Sequence, residues 1–341
     1  MNDRILEHYL DEFQHGFDVE AAEAATLFDA LVGSVNQALI AEVLVAWNEK
    51  GISENELVAT AGLMRSRMRR IESRYETFID IVGTGGGAEK TFNVSTAAAF
   101  VIAGSGLPVA KHGNRAATSK CGSADVLSEL GINTDIDPDK TQFDLHNHGL
   151  CFMFAPRFHS LSTVLAAARR SIGQPTIFNN LGPLCNPASA PHAVIGVWDK
   201  HLLETTGKAL ARLGTRRSWI VYGENGLDEI GLKGKTLVAE VNGENIEVFE
   251  ISAADFDVFT LGKDLPSKCS AAESSRIIRS ILANEMKDRD AERLVLMNAA
   301  AAIYAAGNSK TLPGAYEQAK NSVRSGAAEG LLNIMAGPSN I

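Results

Sequence analysis

Phe78-Ile79-Asp80-Ile81-Val82-Gly83-Thr84-Gly85-Gly86-Gly87 is the stretch whose reading decides the fold. A short apolar run stops at a cluster of glycines, and the Ala-rich segment 95–103 follows. That order is strand, glycine-rich loop, helix. Glycines let the backbone approach an anion closely, and the N–H groups opening the next helix supply donors and a favourable dipole. Phosphate or pyrophosphate is the ligand such a loop suits best, although a strand-to-helix turn that binds nothing would use the same glycines. The loop is not a Walker A sequence, because no Gly-Lys-Ser/Thr follows at the right spacing, and Gly83 and Gly85 do not complete the dinucleotide G-x-G-x-x-G pattern.

Working outward, further short strands are expected at residues 107–110, 150–155, 193–197, 219–222, 236–241 and 246–251, many of them separated by helical patterns. On the N-terminal side, residues 5–72 read as helical, with apolar residues at three- and four-residue spacing in 22–31 and 35–47. Lys50-Gly51 ends one helix, and Ser53 with Glu56 has the capping-box spacing that opens the next. Residues 157–186 interrupt the alternation with a helix-like stretch and a proline-containing turn at Gly182-Pro183-Leu184, expected to pack back on the first helices. The chain closes on helices over 291–306 and 315–335, punctuated by Gly307 and Gly326. The expected fold is α/β: a small all-helical domain, residues 1–74 joined by 157–186, and a larger domain, 75–156 and 187–341, with a central, mostly parallel sheet flanked by helices.

With 341 residues, 45% hydrophobic and 21% charged, the chain can bury more than one core. A net charge of −9 argues against general nucleic-acid binding. Four widely spaced cysteines, Cys121, Cys151, Cys185 and Cys269, form no C-x-x-C pair, so neither a zinc site nor a disulfide framework is indicated. The acidic N-terminus lacks the features of a signal peptide, and a cytoplasmic location is expected. Residues 91–110 carry no formal charge, yet Asn93, Ser95, Gly104, Gly106 and Pro108 make them a poor membrane span.

Three further groups carry chemistry. Lys111-His112-Gly113-Asn114-Arg115, placed after the second strand and followed by Ser119, Lys120, Gly122 and Ser123, mixes cations with small polar residues, as recognition of an anionic substrate requires. Arg157, His159, Arg169 and Arg170 form a second basic group; an Arg pair on a helix is more often a solvent face. Asp228-Glu229 lies past the strand ending near Tyr222, where adjacent carboxylates suit Mg²⁺, a hard cation that prefers oxygen ligands.

Taken in order, Gly83-Thr84-Gly85-Gly86, Thr91-Phe92-Asn93-Val94-Ser95-Thr96, the Lys111-to-Arg115 run, Gly122-Ser123-Ala124-Asp125, Thr176-Ile177-Phe178-Asn179, Gly182-Pro183-Leu184, Asn186-Pro187 and Gly226-Leu227-Asp228-Glu229 resemble the anthranilate phosphoribosyltransferase family over almost the whole chain. The resemblance implies transfer of the phosphoribosyl group of 5-phosphoribosyl 1-pyrophosphate to the amine of anthranilate, a step of tryptophan biosynthesis, in a Mg²⁺-dependent homodimer formed through the helical part. It implies donor contacts at Gly83, Thr84, Gly85, Gly86, Gly87, Thr91, Asn93, Val94, Ser95, Thr96, Lys111, Gly113, Ser119 and Ser123. The implied Mg²⁺ ligands are Ser95, Asp228 and Glu229, and the implied anthranilate contacts are Gly83, Asn114, Arg169 and His112.

No general base stands out; an aromatic amine is already a free nucleophile at neutral pH, which leaves Lys111 and His112 as the candidates for direct catalytic roles. Two positions depart from the family pattern: Gly87 stands where an Asp is usual and Cys121 where a Ser is usual. Pyrimidine nucleoside phosphorylases share the fold but lack the Lys-His-Gly-Asn-Arg run, and a non-catalytic nucleic-acid-binding relative would sit badly with the acidic charge and the Asp-Glu pair. Neither membrane nor nucleic acid is an expected partner.

Overall fold

A computed structural model of the chain describes residues 1–87, 91–116, 121–262, 265–285 and 289–337. The chain opens with α1 (Asn2–Gln14), α2 (Ala24–Gly33), α3 (Gln37–Lys50) and α4 (Glu54–Arg67). The capping box is present: Ser53 Oγ accepts the Glu56 N–H, and Glu56 Oε2 accepts the Ser53 N–H at 2.9 Å. Glu56 is buried, and it also accepts the Val19 N–H and a hydrogen bond from Lys50 Nζ, both at 3.0 Å, so one carboxylate ties three segments together.

The alternating part follows as β1 (Ile79–Gly83), α5 (Val94–Gly104), β2 (Val109–Gly113), α6 (Ser123–Glu129), α7 (Pro138–His148), β3 (Leu150–Phe154) and the short α8 (Ala155–Phe158). Then come α9 (Thr163–Ile172), α10 (Ile177–Leu184), β4 (His192–Gly196), α11 (His201–Arg212), β5 (Arg217–Gly223), β6 (Thr236–Asn242) and β7 (Asn245–Ile251). Four helices end the described chain: α12 (Ala271–Leu282), α13 (Arg289–Ala305), α14 (Leu312–Arg324) and α15 (Ala327–Ala336).

The sheet order is β3-β2-β1-β4-β5-β6-β7; the first five strands in sequence run parallel, and β6 and β7 are antiparallel additions. Side chains alternate between its faces. Val194 of β4 therefore joins the core made with α5 and α12–α15, while Ala193 and Ile195 join the core made with α1–α4 and α9–α11. Leu165 and Ala168 of α9 and Ile177 and Leu181 of α10 belong to that second core, so residues 157–186 do pack on the N-terminal helices. Helix α5 is buried on every side from Thr96 to Ile102, which explains why residues 91–110 carry no charge; among the described residues no helix is long and apolar enough to cross a membrane.

Two local expectations are corrected. The second strand extends to Gly113, so Lys111 and His112 lie within it and not after it, because interior carbonyls receive the Lys111 ammonium and the His112 Nδ1. Gly182-Pro183-Leu184 is not a turn but the last turn of α10, a helix opened by Asn179 Oδ1 accepting the Thr176 N–H at 3.0 Å; Pro183 gives up one backbone donor there, and the helix ends one residue later at Leu184.

Candidate active site

The sequence runs from β1 outward to β2 and β3 in one direction, then to β4 and β5 in the other. The order reverses between β1 and β4, and a crevice outside the carboxyl ends of the strands is the consequence. A cavity of about 740 Å³ lies there, lined by residues that end or follow β1, β2, β3 and β4: Gly83, Gly113, Ala155 and Gly196 among them.

Gly83 and Gly196 pair in register at the ends of β1 and β4. A methyl group on Gly83 would lie 2.6 Å from Asp228 Oδ2, and one on Gly196 would lie 1.7 Å from the Asp228 carbonyl oxygen. Two bare backbones thus let the acidic segment rest on the sheet. Asp228 Oδ2 accepts the Gly85 N–H at 3.0 Å, and Thr91 Oγ1 donates to Glu229 Oε2 at 3.1 Å, which joins the glycine loop to the acidic pair. Asn298 holds the far side of that segment through the Ile230 N–H and carbonyl, both at 3.0 Å. Glu229 is held well above the usual carboxylate range, first by burial and then by the neighbouring Asp228. Two adjacent, partly desolvated carboxylates in a cleft call for a cation.

Strands β1 and β2 part immediately after the pair Ile79 and Val109, whereas β1 and β4 stay paired along five positions. Side chains bridge the gap. Asp80, fully buried, accepts the His112 N–H at 3.2 Å and a hydrogen bond from Asn186 Nδ2 at 2.7 Å; Lys111 Nζ donates to the Ile81 carbonyl and to Ser95 Oγ at 3.2 Å. Burial drives the Asp80 carboxyl up to about 6 against the pull of Lys111, and drives Lys111 down to about 8 against Asp80 and Glu229. A cation is thereby fixed beneath the loop that begins at Gly83.

The second loop is folded by Asp125, whose Oδ2 accepts the Ala116 and Gly122 N–H groups at 3.0 and 2.9 Å, while Arg115 pairs with its Oδ1 at 3.2 Å. Asn93 Oδ1 accepts from Cys121 Sγ at 3.2 Å and from Ser274 Oγ at 2.8 Å.

The other end of the cavity is less polar. Arg169 lines it with its guanidinium 5.0 Å from the Phe178 ring centre, and its buried Nε has no hydrogen-bond partner. Burial lowers Arg169 to about 10, and no carboxylate opposes the shift. His112 and His159 lie beside it, ring centres 5.1 Å apart. Nδ1 of His112 donates to the Gly182 carbonyl at 2.9 Å, and Nε2 of each ring is buried without a partner. Burial lowers His112 to about 3 and His159 to about 4, so both rings are neutral.

Of the residues expected at the site, Gly83, Thr84, Gly85, Gly87, Thr91, Asn93, Ser95, Lys111, His112, Gly113, Asn114, Ser123, Arg169, Asp228 and Glu229 line this cavity. Val94, Thr96 and Gly86 do not: Val94 and Thr96 are fully buried in α5, and Gly86 is packed between Pro175 and Trp198, where a methyl group would meet either at 2.6 Å. Ser119 lies outside the described residues. Arg157 is exposed and paired with Asp135, and Arg170 is exposed, so the basic group divides and only His159 and Arg169 reach the cavity. Sequence reading gave no role to Asp80, Asn298 or Lys268; the visible signals were an acidic residue inside an otherwise apolar strand and the family-like Asn298-Ala299-Ala300 run.

Glycine loops, a buried lysine and paired carboxylates at a strand-order reversal define a glycosyl-transfer site for a phosphorylated donor, and residues 75–329 match the glycosyl transferase family, a/b domain. The anthranilate phosphoribosyltransferase of Moorella thermoacetica is 40% identical over 322 residues, 94% of each chain, and that of Natronomonas pharaonis is 38% identical over 95% of this chain and 96% of its own. A crystal structure of the Thermus thermophilus anthranilate phosphoribosyltransferase superposes with a TM-score of 0.84 at 34% identity, covering 96% of this chain and 98% of that one. The chain belongs to the anthranilate phosphoribosyltransferase family, enzymes that join the phosphoribosyl group of 5-phosphoribosyl 1-pyrophosphate to the anthranilate amine in tryptophan biosynthesis. The phosphorylase and nucleic-acid-binding readings fall away with that assignment.

Proposed function

We propose that the donor's diphosphate lies over Gly83, Gly85, Asn93, Ser95 and Lys111, with the remaining phosphate toward Ser123, and that anthranilate enters between Asn114, His112 and Arg169. The observation that carries this reading is Arg169: a desolvated guanidinium without a counter-charge, in the same cavity as the partly buried acidic pair, is completed by a ligand carboxylate.

The donor set of Asp228, Glu229 and the Ser95 hydroxyl fits Mg²⁺: all ligands are oxygens, and Glu229 is a partly desolvated acid beside a second carboxylate, whose charge needs neutralising. Among the described residues no group of three or more His, Cys, Asp or Glu converges on one point, so the ion's remaining positions fall to water and substrate phosphate. When bound, Mg²⁺ supplies charge neutralisation on the leaving diphosphate. Lys111 and the loop N–H groups stabilise the same developing charge from the protein side. Arg169 and the neutral His112 hold the acceptor so that its amine faces the ribose, which is a gain in positioning. The neutral histidines can accept a hydrogen bond from the amine without repelling it.

The helical unit, residues 1–74 with 157–186, and the α/β unit, 75–156 with 187–341, are proposed as the two domains whose boundary forms the cleft. A homodimer through the helical unit is supported by exposed Met1, Phe17 and Val35 and by a shallow depression among Met1, Arg4, Ile5, His8 and Tyr9. Four free thiols suit the cytoplasm. The test of function is the loss of anthranilate fluorescence on adding 5-phosphoribosyl 1-pyrophosphate with Mg²⁺; no Mg²⁺-dependent consumption would overturn the proposal.

A further inference from the structure

The segment before α12, a helix tied to the donor loop across 181 residues of sequence, reaches the cavity and carries a cation with no assigned role. Ser274 of α12 is bolted to the donor loop in both directions: the Asn93 N–H donates to Ser274 Oγ at 2.9 Å, and Ser274 Oγ donates to Asn93 Oδ1 at 2.8 Å. The Ser270/Glu273 capping box opens the helix, and Glu273 is spent on the Ser270 N–H at 2.8 Å and hydroxyl at 2.7 Å. Lys268 and Cys269, just before this helix, line the cavity together with Asn93 and Cys121.

Four Lys or Arg residues line the cavity among those described: Lys111, Arg115, Arg169 and Lys268. Lys111 is committed to the Ile81 carbonyl and Ser95, Arg115 to Asp125, and Arg169 stands at the Phe178 end. Lys268 is exposed and makes no ion pair with an acidic residue among those described. Its backbone adopts φ 50°, a left-handed conformation in which a side chain is strained and glycine is favoured. Keeping a lysine where glycine would be more stable fits a charge retained for use.

We infer that Lys268 is a donor-binding residue, a second cation that meets a phosphate group of the phosphoribosyl donor from the α12 side of the cavity. The inference rests on the phosphoribosyl-transfer reading above and adds a residue to it. Lys111 is held within β2 by the Ile81 carbonyl and Ser95, whereas Lys268 comes from the segment before α12, where a long, flexible side chain can follow the phosphate as it leaves.

The experiment is a substitution series at Lys268, to Arg, Gly and Glu, in the full-length chain. It reads KM for donor and for anthranilate, the affinity of inorganic pyrophosphate with Mg²⁺ by calorimetry, and the melting temperature. Lys268→Arg is expected to hold the donor KM within about twofold, Lys268→Gly to raise it roughly fivefold, as for one partly exposed cation, and Lys268→Glu to raise it further. Pyrophosphate affinity should fall in the same order while the anthranilate KM stays level. Lys268→Gly should also melt about 2 °C higher, since the left-handed strain is relieved. A stability gain coupled to a donor-affinity loss is an outcome that a packing role would not give. The inference is overturned if the wild type turns over but donor KM and pyrophosphate affinity are equal across the series, or if both substrates' KM values rise together. A wild type that does not turn over counts against the reaction itself.

Discussion

Gly196 and Asp228 approach so closely that the carbonyl oxygen of Asp228 occupies the place where a side chain on residue 196 would begin, 1.7 Å from a built methyl carbon. The acidic pair is therefore held by backbone packing on the sheet as much as by its own hydrogen bonds. Gly196→Ala is expected to displace residues 227–229, cost about 3 kcal/mol of stability and lower activity at least about a hundredfold. Thermal melting and steady-state rates check it; an active, undisturbed variant would contradict the packing argument.

Replacing Asp228 by Asn together with Glu229 by Gln removes the negative charge without changing shape. Loss of most activity and of any response to added Mg²⁺ is expected, whereas melting temperature should hold or rise, because Glu229 is held high by burial and by Asp228. A metal titration indistinguishable from that of the wild type would refute the assignment.

Arg169→Ala should raise the anthranilate KM by about tenfold to a hundredfold, the worth of a charge-assisted pair, and leave the donor KM nearly unchanged. Steady-state kinetics with each substrate varied in turn decide it. Equal effects on both substrates would place the guanidinium elsewhere in the reaction.

Burial holds His112 at about 3 and His159 at about 4, below the ordinary histidine value. For groups with lowered folded values the unfolded chain takes up protons first, so the stability that the neutral rings contribute is complete above about pH 6.5 and drains away as pH falls toward about 4 for His159 and about 3 for His112. Each ring should add up to about 1.4 kcal/mol per pH unit to that slope. Denaturant unfolding at several pH values should show a shallower acid limb in His159→Gln, and an unchanged limb would sink the explanation.

Asp80→Ala removes the acceptor of the His112 N–H and one of the two acceptors of the Asn186 amide, which keeps the Ala110 carbonyl. A loss of about 3 kcal/mol is expected from denaturant titration. Because Lys111 loses its neighbour, the donor KM should rise more than the anthranilate KM.

All seven strands, most of the helices and the order of the ligand-binding loops were legible in the sequence. Period-two and period-3.6 patterns report burial locally, and glycines at 83–87 or an Asn-Arg run announce a tight turn whatever surrounds it. Element ends were less legible. Lys111 looked like loop because a lysine rarely ends a buried strand; here Asp80, Ile81 and Ser95 receive it. Pro183 looked like a turn because its position within α10 is set by the Thr176/Asn179 cap seven residues before it.

What the sequence determined by itself was the alternation of strand and helix, the anion-binding loops and, through the order of motifs, the family. Tertiary structure alone decided which members of each motif face the cavity: Arg169 and His159 but not Arg157, Ser95 but not Thr96, and Lys268 from a segment without any motif. The reason is physical. A residue's local periodicity fixes which side of its own element it occupies, but the neighbours that empty or fill the space on that side come from strands and helices a hundred residues away.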